Sequence, residues 1–283
     1  MFDLLLAFYH SGDYKIILSW IRTWRERNLL IIAITNQKGG VGKTTTSINV
    51  AAAIALMGKK VLLLDMDPQA HSTISTVTNP EKYEKSLYDV LMTKTEKIED
   101  IIVRSNIPGL DMAITKISMA KLEPSLAGEF DGHFRLKDAL EQIRGRYQYI
   151  LIDTPPTLGL ITLNALVAAN YILIPIQSSY LCLEGTDDLL ETIEKVKRIA
   201  NPNLKVLGVL ITLFDRRTNL SRDVVERIRK VFAGKLFKTY ISKSVKLEES
   251  PAYKESIFTY APNSIGAEQY QKVAEEIMHR AKS

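Results

Sequence analysis

The stretch NQKGGVGKTT, residues 36–45, combines the residue types and the spacing of a loop that binds phosphate groups. The pattern for such loops is G-x-x-x-x-G-K-[ST], and Gly42, Lys43 and Thr44 satisfy its end. In that pattern backbone N–H groups surround a polyphosphate, the lysine reaches the β- and γ-phosphates, and the hydroxyl binds Mg²⁺. The motif therefore predicts a site for a nucleoside triphosphate with Mg²⁺.

The beginning of the loop departs from the pattern at two neighbouring positions. Gln37 stands where the first glycine is expected, and Lys38 follows it as a lysine that the pattern does not require. The glycines at positions 39, 40 and 42 allow the backbone to turn and to approach an anion closely. The departure leaves the phosphate-binding chemistry intact and adds a second positive charge beside it.

Carboxylates follow two further apolar stretches. Asp65 and Asp67 lie in LLLDMD, and Asp153 ends YILID. Ligands bind at the carboxyl ends of strands in open parallel sheets, and a buried charge is costly unless it faces a metal or a site. We therefore expect Asp153 to hold Mg²⁺, directly or through water, in the Walker B role. A helix cap or a turn is the alternative for Asp153, and the phosphate loop in the same predicted sheet disfavours it.

Strands that end beside one another must position these residues. Short apolar runs alternate with longer amphipathic segments, which is typical of an α/β protein. The sequence predicts a single P-loop domain over residues 29–283, with a mostly parallel, doubly wound sheet flanked by helices. A helix is predicted from Gly42 to Met57, ended by Gly58. The predicted strands are residues 29–35, 60–65, 110–116, 147–153, 170–176 and 204–212.

An extension, residues 1–28, precedes this domain and is predicted to contain one amphipathic helix. Its segment YKIILSWIRTWRERN places isoleucines and tryptophans on one helical face. No apolar run reaches the ~20 residues that span a membrane, and no secretory signal is expected. Cys182 is the only cysteine, which excludes a disulfide framework, a cysteine-rich zinc site and a cluster that needs two cysteines per chain. The predicted compartment is a reducing cytoplasm.

Positive charge is concentrated in one part of the chain. Residues 214–246 contain ten basic and three acidic side chains, a net charge of +7; the whole chain carries +5, so the remainder carries −2. Such a concentration favours a surface for an anionic polymer. A solvated helix face is the alternative explanation for Arg222, Arg227 and Arg229.

Three motifs in order, KGGVGKTT, LLLDMDPQ and ILIDTPP, resemble those of the ATPases with a deviant Walker A loop, the ParA, Soj and MinD group. Further matches are SLYDVL, LITLNALVAA, LCLEG, RTNLS and SPAYKESIFTYAPNSIGAEQY, and they place the chain with the chromosomal ParA/Soj branch. The resemblance runs from Leu30 to the C-terminus. It implies a Mg²⁺-dependent ATPase with low basal activity.

The resemblance also implies roles for individual residues. Lys38 matches the signature lysine that reaches the partner's phosphates across a dimer with ATP in its interface, and Asp67 matches the residue that positions the attacking water. Lys38, Lys43 and Asp67 form the implied catalytic set, and Thr44 and Asp153 the implied Mg²⁺ set. The implied nucleotide contacts are Lys38, Gly39, Gly40, Val41, Gly42, Lys43, Thr44, Thr45, Pro262 and Asn263.

Partners follow from the same resemblance. ATP-dependent homodimers of this family bind DNA without sequence preference and are released when a ParB-like activator stimulates hydrolysis. We therefore expect a cytoplasmic, nucleoid-associated protein that segregates a chromosome or a plasmid. Ser242, Lys243 and Ser244 replace the family's usual proline, arginine and asparagine, and the charge that nonspecific binding requires is kept. The implied DNA contacts are Arg217, Lys238, Lys243 and Lys246.

A MinD-like ATPase that acts on a membrane, or one that positions another protein assembly, is the alternative. MinD-like proteins end in a short basic amphipathic helix beyond the core domain, whereas AEQYQKVAEEIMHRAKS is predicted to be the domain's own last helix. The helix predicted in residues 1–28 offers a second route to a membrane surface. A sequence-specific repressor is disfavoured because this extension is too short for a winged helix. DNA, and not a membrane, is the expected partner.

Overall fold

The computed structural model describes residues 29–93, 95–179 and 185–282. Residues 1–28, with the predicted amphipathic helix, lie outside this part of the chain. Within it, seven strands form one sheet in the order β3-β4-β2-β5-β1-β6-β7. The strands are β1 (Leu30–Ile34), β2 (Val61–Asp65), β3 (Ile102–Arg104), β4 (Leu110–Ala113), β5 (Tyr149–Asp153), β6 (Tyr171–Gln177) and β7 (Lys205–Thr212).

The sheet is parallel except at one edge, where β3 and β4 are antiparallel. The predicted α/β fold with a mostly parallel sheet is therefore confirmed. The chain runs from β1 to β2 on one side and from β5 across β1 to β6 on the other. The carboxyl ends of β1, β2 and β5 meet beside the point where these connections diverge. Open α/β sheets bind their ligands at such a point.

Helices cover both faces of the sheet, and the two-residue alternation of the strands divides the core between them. Ile31 and Ala33 of β1 face one hydrophobic cluster, and Ile32 and Ile34 face the other. No helix in the described ranges is both long and apolar enough to cross a membrane. The helices are α1 (Lys43–Leu56), α2 (His71–Thr76), α3 (Leu87–Met92), α4 (Leu122–Leu126), α5 (Arg135–Glu141), α6 (Leu160–Ala168), α7 (Thr186–Ile199), α8 (Asn219–Val231), α9 (Val245–Glu249), α10 (Ile257–Tyr260) and α11 (Ile265–Arg280).

Helix α1 lies between the sheet and α11, which explains why alanines fill most of its second half. Small side chains let the two helices and the sheet approach closely, and alanine has the highest helix propensity. The Thr46 hydroxyl lies 3.2 Å from the Tyr270 hydroxyl of α11. Asn49 Oδ1 accepts a 2.8 Å hydrogen bond from the Ile257 backbone. The C-terminal helices are thus attached to the helix that follows the phosphate loop.

Strand β3 is the one strand that the sequence pattern did not predict. It has three residues at the sheet edge, and only Val103 among them is buried. Such a short element carries no alternation that distinguishes it from a loop. Its pairing with β4 depends on the position of β4 in the sheet.

We predict that Gly208→Ala lowers the free energy of unfolding by about 1–3 kcal/mol. A Cβ at this position of β7 would lie 2.6 Å from the Lys235 carbonyl oxygen and 2.6 Å from the Phe237 ring. Chemical denaturation measures the effect. Gly132→Ala is the control, because its nearest neighbours would be 3.5 Å away. Equal stability of the two variants would contradict the packing at β7.

Candidate active site

The loop between β1 and α1 has the backbone that a phosphate site needs. Gly40 and Gly42 have φ angles of 72° and 81°, in the left-handed region that favours glycine. Gly39 and Gly40 are exposed, and a Cβ on either would meet no atom within 4 Å. Val41 is buried, so its side chain holds the loop to the protein while the glycines leave the outer face open. The open face precedes the N-terminus of α1, whose dipole favours anions.

Three side chains hold the loop in place, and the sequence predicted this role for none of them. Asn36 Nδ2 donates to the Pro175 carbonyl of β6 at 2.8 Å. Gln37 Nε2 donates to the Gly185 carbonyl, just before α7, at 2.5 Å. Thr212 Oγ1, at the end of β7, donates to the carbonyl of loop residue Val41 at 2.8 Å. The residue in place of the first glycine therefore connects the loop to α7.

Lys43 lies across the inside of the loop. Its Nζ donates to the Lys38 carbonyl at 2.8 Å, and the side chain is buried. Burial lowers the pKa of Lys43, and the charges of Asp153 and Asp67 oppose that shift. A buried cation next to an open anion site is suited to neutralise phosphate oxygens.

The two acids predicted at strand ends are direct neighbours in the sheet. Asp65 of β2 and Asp153 of β5 are register partners, and both are fully buried. Burial is the largest cause that raises the pKa of each carboxyl. For Asp65 the charge of Asp153 raises the pKa further, and for Asp153 the charge of Lys43 lowers it. Two carboxylates this close require donors around them.

Hydroxyl groups supply most of those donors, and the sequence did not single them out. Ser47 and Ser72 donate to the two oxygens of Asp153 at 3.0 and 2.7 Å. The Thr73 hydroxyl and its N–H both donate to Asp65 at 2.8 Å. Asp65 therefore has a structural role as the anchor of α2, while Asp153 faces α1 and the loop.

Thr44 and Asp153 fit the predicted Mg²⁺ set. The Thr44 side chain lies close enough to the Asp153 carboxylate to lower its pKa, so two oxygen groups of the type that Mg²⁺ prefers are near each other. In the part of the chain that the structure describes, no group of three or more His, Cys, Asp or Glu side chains could hold a metal. Phosphate oxygens of a nucleotide and water would supply the other ligands of a Mg²⁺ ion held by Thr44 and Asp153, as is usual for Mg²⁺ with nucleotides.

Asp67 lies near these groups, in the connection between β2 and α2. It is 8% exposed, and its carboxylate accepts a 2.9 Å hydrogen bond from the Gln69 N–H. Its own N–H donates to Asp65 at 3.1 Å, and Ala70 beside it has a left-handed φ of 56°. This tight turn directs the segment back over the carboxyl end of the sheet, with Asp67 close enough to Lys43 to affect its pKa.

The predicted nucleotide contacts near the C-terminus lie apart from the loop in sequence. Pro262 and Asn263 are exposed in the turn before α11, the helix packed on α1. Ser242, in the place of the family's proline, pairs with Gln269 of α11 through its N–H at 2.8 Å and its hydroxyl at 2.9 Å. This pairing fixes segment 241–244 beside α11.

The predicted DNA contacts lie on the surface near that segment. Arg217 follows β7, while Lys243 donates its N–H to the Phe214 carbonyl at 3.2 Å, so the two segments are adjacent. Lys246 pairs with Glu249 at 3.1 Å. Lys238 lines a cavity of about 380 Å³ together with Arg216 and with Lys272 of α11, a cation outside the basic segment that the sequence did not identify.

Comparison with known proteins supports the nucleotide chemistry. A family model described as an AAA domain matches residues 29–206. The chain is similar to the sporulation initiation inhibitor protein Soj of Bacillus subtilis, with 44% identity over 87% of this chain and 97% of that protein. It is similar to the chromosome partitioning protein ParA of Caulobacter vibrioides, with 39% identity over 89% and 95% of the two chains.

One group of solved structures supports the two cofactors. The chain is similar to cobyrinic acid a,c-diamide synthase from Mycobacterium smegmatis with bound ADP and magnesium: the TM-score is 0.80, with 33% identity over 90% of this chain and 96% of that one. The same enzyme with an ATP analogue and magnesium gives the same values. ATP and Mg²⁺, which the loop predicted, are thereby confirmed as the cofactors.

The names of these proteins describe different roles. The similarity therefore identifies the family and its cofactors, and it does not by itself identify one biological process. The synthase is 33% identical to this chain, and the two partition and sporulation proteins are 39% and 44% identical. Since Soj and ParA align with this chain over 95% or more of their own lengths, the chain belongs to the ParA/Soj family of P-loop ATPases.

Proposed function

We propose that this protein is a Mg²⁺-dependent partition ATPase that dimerises around ATP, binds DNA without sequence preference as a dimer, and is released when a ParB-like activator stimulates hydrolysis. One observation carries the proposal. A single anchored loop presents two lysines: Lys43 is buried and turned inward, and Lys38 stands beside the exposed Gly39 and Gly40. This arrangement supports a division of roles in which Lys43 serves the nucleotide of its own subunit and Lys38 reaches that of a neighbour.

Within one subunit, the described residues bind and orient ATP for phosphoryl transfer. The loop backbone, Gly39 to Thr45, cradles the phosphates, and Lys43 leaves the Lys38 carbonyl to bind their oxygens. Thr44 and Asp153 would hold Mg²⁺, which would neutralise charge on the phosphates. Asp67 orients the attacking water from the turn after β2. Pro262 and Asn263, before α11, complete the set of nucleotide contacts.

The position of Lys38 in the loop supports dimerisation around ATP. Phosphoryl transfer needs positive charge around the γ-phosphate, and a lysine from the partner makes full neutralisation conditional on assembly. The nucleotide then favours the dimer and the dimer favours hydrolysis, so one equilibrium controls both. Basal turnover is low because the activator completes this arrangement.

DNA binds to the basic segment, residues 214–246. This segment belongs to the same domain as the nucleotide site, residues 29–283. Arg217, Lys238, Lys243 and Lys246 provide charge for phosphates of the duplex, and dimerisation doubles the surface. The name of one relative, the chromosome partitioning protein ParA, supports a role in the segregation of a chromosome or plasmid. A protein with that role would act in the cytoplasm at the nucleoid. A MinD-like or cargo-positioning ATPase is the alternative, and residues 1–28 are the segment that would serve it.

The two loop lysines are expected to separate in one experiment. Lys43→Ala should lower ATP affinity by about 10- to 100-fold, because a charged contact to phosphate is lost. Lys38→Ala should leave ATP affinity of the monomer nearly unchanged and weaken the ATP-dependent dimer by at least about tenfold. Calorimetry measures the first quantity and sedimentation velocity the second. The control is Lys60→Ala, an exposed lysine before β2 at the opposite end of the sheet. A normal dimer of Lys38→Ala would overturn the role of Lys38.

Asp67→Ala is expected to slow hydrolysis by about 100-fold while ATP binding and dimerisation persist, because the water loses its orienting carboxylate. Phosphate release under single-turnover conditions measures the rate, and the lifetime of the dimer should increase in parallel. Gln69→Ala is the control. It keeps the Asp67 carboxylate and also the backbone N–H of residue 69, which donates a hydrogen bond to that carboxylate. Hydrolysis at the normal rate in Asp67→Ala would remove this residue from the mechanism.

Replacing Lys238, Lys243 and Lys246 by Ala should weaken DNA binding and leave dimerisation intact. Each lysine that neutralises a phosphate contributes about −0.9 to the slope of log K against log salt, so the slope should become shallower. Fluorescence anisotropy with duplex DNA at several salt concentrations measures it. The control removes Lys60, Lys195 and Lys197, three lysines outside the basic segment. Equal losses in both triple variants would show that the effect is one of net charge alone.

A further inference from the structure

A short segment, residues 212–217, connects the phosphate loop directly to the predicted DNA surface. At its start, Thr212 is buried and its hydroxyl donates to the Val41 carbonyl of the loop at 2.8 Å. A Cβ on Gly42 would lie 3.8 Å from the Thr212 methyl group, so the side chain packs on the loop as well as bonding to it. A movement of the loop backbone at Val41 and Gly42 would therefore displace the Thr212 side chain at the end of β7.

The next residue, Leu213, has an unusual backbone. Its φ angle is 50°, in the left-handed region, which is disfavoured for a branched side chain. The Leu213 carbonyl accepts a 3.2 Å hydrogen bond from the Ser178 hydroxyl after β6. The conformation is thus maintained by its surroundings, and residues held in such a region cluster at ligand clamps and switch segments.

The far end of the segment controls two predicted DNA contacts. The Phe214 N–H donates to the Ile241 carbonyl at 2.9 Å, and the Phe214 carbonyl accepts from the Lys243 N–H at 3.2 Å. The Asp215 carboxylate accepts from Arg217 three times, from its N–H at 3.0 Å, from Nε at 2.9 Å and from Nη2 at 2.7 Å. Arg217 and Lys243 therefore both take their positions from residues 214 and 215.

Asp215 occupies the groups that a DNA phosphate would use. The Arg217 side chain is 88% exposed, and its Nε and Nη2 form the fork that binds carboxylate and phosphate in the same bidentate geometry. The hydrogen bond from Arg217 lowers the pKa of Asp215 to about 2, so this carboxylate is charged at any pH used for DNA binding. An exposed ion pair contributes little net free energy, so a phosphate can replace it once the segment moves.

We propose that residues 212–217 transmit the state of the phosphate loop to Arg217 and Lys243, with Thr212 and Asp215 as positioning residues, so that the nucleotide sets DNA affinity through this segment. The inference rests on the proposed function, since it assigns a control to the DNA surface named there. Phosphates held by the loop fix the Val41 carbonyl, Thr212 carries that constraint to the left-handed turn at Leu213, and the turn sets how firmly Asp215 holds Arg217. Coupling of this kind requires that the segment has two arrangements, and that nucleotide at one site and DNA at the other each shift the equilibrium between them.

The first test compares Thr212→Val with Thr154→Val. Each variant removes a buried hydroxyl that donates a hydrogen bond to a backbone carbonyl. The Thr212 hydroxyl donates to Val41 at 2.8 Å, and the Thr154 hydroxyl donates to Ile34 of β1 at 2.9 Å. Thr212 is part of segment 212–217, whereas Thr154 follows β5. The readout is the ratio of DNA affinity with a nonhydrolysable ATP analogue to that with ADP, measured by anisotropy. Thr212→Val should reduce this ratio by about fivefold or more while ATP affinity changes less than about threefold. An unchanged ratio would overturn the inference.

A second test does not depend on a buried substitution. Asp215→Asn should raise DNA affinity more with ADP than with the ATP analogue, because it releases the fork of Arg217 in the state that holds it. The charge-matched control is Asp223→Asn on α8, which should raise both affinities equally. If Asp215→Asn also raises both equally, Asp215 acts only through net charge and the inference fails. If the unaltered protein binds DNA with neither nucleotide, the proposed function fails instead.

Discussion

The burial of two carboxylates side by side, Asp65 and Asp153, is the constraint on which the rest of the site depends. Neighbouring parallel strands place them in register at the end of the sheet, where neither reaches solvent. Such a pair is costly unless each oxygen has a donor, and hydroxyls from α1 and α2 supply them. The same bonds fix the start of α1 and the turn with Asp67. The hydrogen bonds that stabilise the two acids therefore also position the groups that we propose act on ATP.

Gln37, in the position of the first glycine of the usual pattern, anchors the phosphate loop through its side chain. In the usual pattern the first glycine permits a tight backbone, whereas here Gln37 reaches out to Gly185 and ties the loop to α7. Together with Asn36 and Thr212, it attaches the loop to three elements of the domain. A loop held this firmly presents Lys38 at a defined place, which is what a contact across a dimer requires. The departure from the pattern and the added lysine are thus two parts of one arrangement.

The three side chains that anchor the phosphate loop also connect it to different surfaces of the domain. Each element that holds the loop leads away to a different surface: α7 on one side, and residues 212–217 toward the basic segment on the other. In the coupling that we propose, one bound nucleotide affects distant contacts without a second regulatory site. Relatives with the same fold carry names for different processes, which is consistent with a shared nucleotide engine whose outputs depend on its surfaces.

Much of the fold and of the site was predictable from the sequence because the signals are local. The loop motif, the acids at the ends of apolar runs and six of the seven strands depend on spacing within a few residues. All of them occur in the structure, although several strand ends differ from the predicted ones; β4, for example, ends at Ala113 and not at residue 116. The tertiary structure alone decided which side chains meet. Ser72 with Asp153, Gln37 with Gly185 and Thr212 with Val41 are separated by 81, 148 and 171 residues, and no periodicity encodes such contacts. They exist because the strand order brings the ends of β1, β5, β6 and β7 to one edge, and the edge strand β3 depends on that order in the same way.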